Sequence, residues 1–261
     1  MTTEPTRVTL ERRDHILFIG LNRPDKRNAA DLAMLAQLAL AYGELDRDSD
    51  LRVGVVFAHG DHFTAGLDLA DVGPAMAATG ALPIPEGGLD PWGISTEMVR
   101  KPVVMAIQGI CFTLGVELAL ASDIIVASAD AQFAQLEVAR GILPFGGATT
   151  RMPRIAGWSN AMSLLLTADT VNAADAHRMG IVTEVVEGSP LERATEVAHR
   201  IAAQAPLAVQ ATLASARAGL HDASSEHHSL PGRLAALMTT RDVQRGMEAF
   251  MTKKPAVFEG D

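Results

Sequence analysis

Residues 102–128, PVVMAIQGICFTLGVELALASDIIVAS, carry only two formal charges, Glu117 and Asp123. A run this apolar must be buried in a bilayer or in a protein core, and that choice limits what the chain can fold into. A membrane-spanning helix would hold Glu117 near mid-bilayer, and Gln108, Asp123 and two glycines interrupt it further. The segment reads instead as a unit of buried strand, turn, helix and strand, with PVVMAI and DIIVAS as strands and VELALA as the helix. A lone carboxylate, Glu117, then sits in the middle of an apolar unit and needs a reason.

The flanking sequence extends this pattern. VTLERRDHILFIGLN predicts two early strands, with Asn22, Pro24 and Asp25 marking a turn. Residues 29–46 carry Leu32, Leu35, Leu38 and Leu45 at helical spacing, and VGVVFAHG predicts a short buried strand. LEVARG predicts a short helical stretch. The alternation points to an α/β core of repeated strand, strand, helix or strand, helix units. With 261 residues, 48% of them hydrophobic, the chain can bury a sizeable core.

Two regions differ. Residues 72–92, VGPAMAATGALPIPEGGLDPW, are rich in proline and glycine and are expected to form a mobile loop or cover. Beyond Ala202 the pattern is almost wholly helical, with a break expected over residues 221–232, HDASSEHHSLPG. The expected division is a core over residues 1–201 and a helical C-terminal region over 202–261, packed on the core or on another subunit.

A net charge of −9 argues against a general nucleic-acid binder, which needs a surplus of Lys and Arg to neutralise phosphates. The single cysteine, Cys111, rules out an intrachain disulfide framework, and MTTEPTRVTLERRD has no apolar signal core, so the cytoplasm is the expected compartment. The eight histidines show no HExxH-type spacing, and no metal site is expected. GGATT at Gly146 lacks the GK[ST] of a P-loop, and there is neither a GxGxxG fingerprint nor a GxSxG elbow. Cys111 reads as a small buried hydrophobe.

The chemistry-bearing candidates lie at two glycine-marked junctions. In HGDHFTAGLDLADV, Gly66 follows a strand and precedes a helical turn, and GICFTLGVE has the same character. Such junctions leave backbone N–H groups free to hold a developing oxyanion, although each alone also reads as an ordinary turn. Glu117 opens the helix at the second junction, and Glu137 in AQLEVARG again has apolar neighbours. Either acid alone could cap backbone donors. Together they suggest a pair for general acid–base work.

LNRPDKRNA (21–29), FTAGLDL (63–69), residues 101–128, FAQLEVARGILPFGG (133–147), ADAHRMGIVTEVV (174–186) and RGMEAFMTKKPAVFEG (245–260) together resemble the crotonase superfamily, the enoyl-CoA hydratase and isomerase group, over nearly the whole chain. The resemblance implies an α/β, crotonase-type spiral of ββα units with a C-terminal helical trimerisation region, and a homotrimer or dimer of trimers. It implies an acyl-CoA substrate, with coenzyme A part of the substrate and no separate cofactor. By position it gives the oxyanion-hole N–H groups to Leu67 and Leu114. Three successive glycines are common in hydratases at the second of these sites, where this chain has Thr113, Leu114 and Gly115. The resemblance assigns Glu117 mainly to water activation and Glu137 mainly to the Cα proton of a trans-2-enoyl-CoA. It places Ala65, Gly66, Leu67, Leu69 and Gly115 against the pantetheine arm or the reacting end, and gives Asp68 the role of fixing the turn. Lys26 and Arg27 are expected near the nucleotide, and Lys253 and Lys254 in a basic spot that reaches a neighbouring subunit's ligand; both pairs also read as solvated surface charge. Hydration is favoured because both acids are retained. The alternatives are a 3-to-2 enoyl-CoA isomerase or other crotonase chemistry, and a non-catalytic acyl-CoA-binding protein.

Overall fold

The computed structural model describes residues 5–261. Strands β1 (Val8–Arg13) and β2 (Ile16–Leu21) form an antiparallel hairpin, with Asp14 turning the chain at φ 50°. Helix α1 (Leu32–Arg47) follows, its first turn closed by Asp31, whose carboxylate accepts the Met34 N–H at 2.9 Å. Strands β3 (Val53–Ala58), β4 (Val103–Ile107), β6 (Ile124–Ser128) and β9 (Glu184–Val186) then add in parallel, giving a six-stranded sheet in the order β1-β2-β3-β4-β6-β9. A second sheet of three short strands, β5 (Ile110–Phe112), β7 (Gln132–Ala134) and β8 (Thr170–Asn172), stands beside it.

The central strands read as near-continuous apolar runs because both faces of the sheet are covered. Leu17, Ile19, Val56, Met105 and Ile107 pack on one face with Leu35, Leu38 and Leu45 of α1 and with Leu118 of α3 (Leu114–Ala121). Ile16, Phe18, Val53, Val55, Val104 and Val126 pack on the other with Ala194, Val197 and Ala198 of α7 (Pro190–Ala202). Each of the buried Val, Leu, Ile, Phe and Met side chains contributes about 1.5–3 kcal/mol by leaving water. Helices α4 (Ala148–Ala156), α5 (Trp158–Thr167) and α6 (Ala173–Arg178) complete the region before α7.

Two expectations need correction. Residues 72–79 are helical, forming most of α2 (Leu69–Thr79), which ends where Gly80 turns left-handed and its N–H reaches the Met76 carbonyl at 2.8 Å. The rest of that window is an organised cover, one of the two forms expected of it. Asp90, buried, accepts the N–H groups of Trp92 (2.9 Å), Ile94 (2.9 Å) and Ser95 (2.7 Å), and Trp92 is 5% exposed. Likewise, the expected break over 221–232 shrinks to one residue. Helices α8 (Pro206–His221) and α9 (Ala223–Leu237) meet at Asp222, which caps α9 through the Ser225 N–H at 3.0 Å, and α9 runs through Pro231.

Helices α8, α9 and α10 (Arg241–Thr252) form the C-terminal region. Arg217 of α8 donates to Asp123 at 3.0 Å and to the Val99 carbonyl at 2.6 Å, tying this region to the sheet. Leu220, Leu234, Phe250 and Met251 remain exposed, Phe250 by 87%. Among the described residues, no helix is long and apolar enough to cross a membrane.

Candidate active site

The two glycine-marked junctions are side by side for a simple reason. Thr64 and Cys111 form a parallel bridge, held by Thr64 N–H to the Ile110 carbonyl and Phe112 N–H to the Thr64 carbonyl, each at 3.0 Å. Leu67 and Leu114 each lie three residues beyond that bridge, so equal steps along parallel segments bring them to the same end. The neighbouring donors are spoken for: Ala65 N–H bonds the Arg27 carbonyl at 2.9 Å, Gly66 N–H the Thr64 hydroxyl at 3.1 Å, Asp68 N–H the Ala30 carbonyl at 2.9 Å and Thr113 N–H the Ala134 carbonyl at 2.8 Å. Among the described residues, the N–H groups of Leu67 and Leu114 have no intrachain acceptor. The Leu114 N–H is free because it opens a helix.

Gly66 is required twice over. Its φ is 100°, and a methyl group there would lie 2.0 Å from the Thr113 hydroxyl oxygen. Thr113 itself is held at φ 50°, ψ −113°, a strained conformation for a β-branched residue. Gly115 packs against Thr64 and Cys111. A methyl there would meet Thr64 Cγ2 at 2.4 Å and Cys111 Sγ at 3.1 Å, so its bare Cα permits packing in the interior.

A cleft of about 60 Å³ is lined by Ala65, Leu67 and Leu69 from the first junction, Thr113, Leu114 and Glu117 from the second, and Glu137 and Arg140 from the segment after β7. Both acids are buried, Glu117 at 1% exposure and Glu137 at 5%. Burial pushes the Glu117 carboxyl upward, opposed by backbone N–H groups of Ala148 and Gly146 and by the charge of Arg151. Its Oε1 accepts the Ala148 N–H at 3.0 Å. Glu137 has fewer donors, and burial, reinforced by the charge of Glu117, pushes it up to about 7. With its amide turned so that the nitrogen faces the acid, the orientation that satisfies both of its polar atoms, Gln135 donates to Glu137 at 3.0 and 3.1 Å. Two carboxyls with different surroundings thus share one cleft, the arrangement that lets one act as base and the other as acid.

Leu114, 6% exposed, forms the wall between this cleft and a neighbouring cavity of about 270 Å³ lined by Leu35, Leu82, Ile84, Trp92, Ile94 and Phe145. Its side chain thus shapes the pocket while its N–H stays free. Asp68 is held by Arg23 at 2.8 Å, whose hydrogen bond keeps the carboxylate below its usual range, and Arg23 also grips the Ala29 carbonyl at 2.9 Å. Asp68 is therefore positioned as a strut of the turn. Lys26 and Arg27 are exposed on the segment that abuts Ala65, and Lys253 and Lys254 are exposed at the end of α10; none of the four lines the cleft. Burial raises the Cys111 thiol, which stays protonated inside the core.

Nothing local in the sequence marks Arg23, Trp92, Gln135 or Arg151 as part of the site. The 146–148 turn, which lacks the residues of a phosphate loop, does carry a signal: glycines before a helix leave free N–H groups, and here a carboxylate, Glu117, receives them.

The fold and cleft define a class: an α/β spiral in which two free backbone donors and two buried acids meet beside an apolar cavity. Residues 11–261 match the family model described as Enoyl-CoA hydratase/isomerase. The chain is 35% identical to the (E)-benzylidenesuccinyl-CoA hydratase of Thauera aromatica, over 97% of this chain and 99% of that one. It is 32% identical to the crotonyl-CoA hydratase of Syntrophomonas wolfei, over 96% and 97%. A probable enoyl-CoA hydratase/isomerase from Mycobacterium abscessus superposes with a TM-score of 0.95 at 48% identity, over 98% of this chain and 99% of that one. The chain belongs to the enoyl-CoA hydratase/isomerase family.

Proposed function

We propose that this chain is an enoyl-CoA hydratase that adds water across the 2,3 double bond of a trans-2-enoyl-CoA. The observation that carries this reading is that Glu117, Glu137 and the residues of both free N–H groups line one cleft. Glu117 takes a proton from water as its oxygen bonds Cβ. The electron pair of the double bond moves onto the thioester oxygen, where the N–H groups of Leu67 and Leu114 stabilise the enolate. Glu137, raised to about 7 and so partly protonated at neutral pH, delivers its proton to Cα. The cycle closes when a proton passes from Glu117 to Glu137. Migration of a double bond needs only one of the two acids, so the second favours hydration.

Coenzyme A enters as part of the substrate, its pantetheine arm along Ala65, Gly66 and Leu69, with Lys26 and Arg27 toward the nucleotide. The apolar cavity beyond Leu114 receives the acyl group, and its size suits acyl groups larger than crotonyl. We place the enzyme in the cytoplasm, where a single buried thiol stays reduced. Residues 1–201 act as the catalytic core and 202–261 as the oligomerisation region. The exposed apolar side chains of α8 to α10 fit a homotrimer or a dimer of trimers. The test is loss of enoyl absorbance with purified protein, first on crotonyl-CoA and then on longer and aryl 2-enoyl-CoAs. Faster conversion of a 3-enoyl-CoA would move the assignment to isomerase, and tight acyl-CoA binding without turnover would move it to a binding protein.

A further inference from the structure

Thr113 occupies a backbone conformation that a β-branched residue adopts only under strain, at φ 50° and ψ −113°. Glycine would remove that strain, so the side chain needs a compensating role. Its hydroxyl oxygen lies directly over the Cα of Gly66, 2.0 Å from where a methyl group on that residue would sit. Gly66 immediately precedes one free donor, Leu67 N–H, and Thr113 immediately precedes the other, Leu114 N–H. Thr113 lines the same cleft as Leu67, Leu114, Glu117 and Glu137. Among the described residues its hydroxyl makes no hydrogen bond, whereas its N–H is taken by the Ala134 carbonyl and its carbonyl by the Glu117 N–H. A hydroxyl with a spare proton therefore stands against the residue before one free backbone donor, on the residue before the other, and lines the cleft that both donor residues line.

We propose that the Thr113 hydroxyl is a third hydrogen-bond donor to the thioester oxygen of the substrate, a catalytic residue of this chain at the oxyanion hole. The inference rests on the acyl-CoA reading of the cleft. A hydroxyl that donates to an enolate oxygen more strongly than to a neutral carbonyl lowers the barrier rather than KM, so the loss on removing it falls mainly on kcat. The strain at Thr113 is then the structural cost of placing that donor.

The test compares Thr113→Val, which keeps the shape and the strain but lacks the hydroxyl, with Thr113→Gly, which lacks both, and Thr113→Ser, which keeps the hydroxyl. Two readouts are taken: kcat and KM for the best 2-enoyl-CoA, and binding of acetoacetyl-CoA, whose enolate form has its own ultraviolet band. Removing the hydroxyl is expected to lower kcat about ten- to a hundredfold with little change in KM, and to weaken the enolate band by a similar factor. Thr113→Ser is expected to restore most of both. Thr113→Gly is expected to keep or raise Tm while losing activity, which separates a catalytic from a structural role. Wild-type kcat and an unchanged enolate band in the Val and Gly variants would overturn the proposal. If the wild type turns over no enoyl-CoA, the hydratase reading falls by itself, while the acetoacetyl-CoA series still decides the role of Thr113.

Discussion

Glu117 Oε1 accepts the backbone N–H of Ala148 at 3.0 Å, across a separation of 31 residues. That bond joins the helix of the second junction, α3, to the start of α4, and it fixes where the carboxylate points. Arg151, one turn into α4, donates to the Gly146 carbonyl at 3.0 Å and to the Trp92 carbonyl at 2.6 Å. The cover over the apolar cavity and the turn that holds Glu117 are thus braced by one guanidinium.

Arg151→Met removes this brace and the nearby positive charge. The turn over 146–148 loosens, and kcat for hydration is expected to fall about ten- to a hundredfold, as for a misplaced reacting group. The charge of Arg151 holds the Glu117 carboxyl down against the effect of burial. Its loss lets that carboxyl rise further, so less Glu117 is ionised at a given pH. The acidic limb of the kcat/KM profile is expected to move to higher pH, and an unmoved limb would show that Arg151 acts through its hydrogen bonds to Gly146 and Trp92 rather than through its charge.

Glu137 gives a pH dependence of opposite sign. The proposed reaction takes its proton to Cα, and with the carboxyl raised to about 7, kcat/KM is expected to decline above about pH 7. Stability follows the same group. Between its unfolded value near 4.5 and about 7 the native state holds more protons than the unfolded chain, so stability falls as pH rises through this window. Glu137→Gln removes the buried charge. It is expected to lower hydration at least about a hundredfold and yet to be more stable than wild type at pH 8, by about 1–2 kcal/mol after allowance for solvent screening. Activity assays and denaturant titrations at pH 5 and pH 8 check both halves.

The parts legible in the sequence were those that burial writes directly into residue type. VVMAI and IIVAS are covered on both faces, which leaves a continuous apolar run. The single acids within or beside such runs, Glu117 and Glu137, stood out against that background. Helices α2 and α9 were obscured by Gly73, Pro74, Pro231 and Gly232, because local breakers lose to tertiary packing and to caps such as Asp222. Contacts between distant segments leave no local trace: nothing near Asp68 announces Arg23, and nothing near Glu117 announces Ala148. The positive φ of Thr113 was hidden too, since threonine is a residue that such a position ordinarily rejects.

Gly66→Ala tests the first junction. The new methyl group would lie 2.0 Å from the Thr113 hydroxyl in a backbone conformation with φ 100°, so the turn must shift and carry the Leu67 N–H with it. The sheet does not depend on this turn, and the far-ultraviolet circular dichroism spectrum is expected to stay native. Loss of one aligned oxyanion donor is expected to cost about a hundred- to a thousandfold in kcat. An active Gly66→Ala enzyme would show that the Leu67 N–H is not a donor to the thioester.

Phe250 is 87% exposed and Met251 75%, and Leu234 of the neighbouring helix is 61% exposed, although the same region is firmly anchored to the core by Arg217. Large apolar side chains on an ordered surface are costly in water and mark contact with another chain. The wild type is expected to sediment as a trimer or a multiple of one. Phe250→Asp with Met251→Asp places two charges on this surface, where burying an unpaired carboxylate is prohibitive, and is expected to yield smaller species. Because Glu117, Glu137 and both free N–H groups come from one chain, those smaller species are expected to keep measurable turnover, with the loss concentrated in KM if Lys253 and Lys254 reach the coenzyme of a neighbouring subunit. A monomeric wild type in analytical ultracentrifugation would remove the oligomer from the account and leave the catalytic reading of the single chain intact.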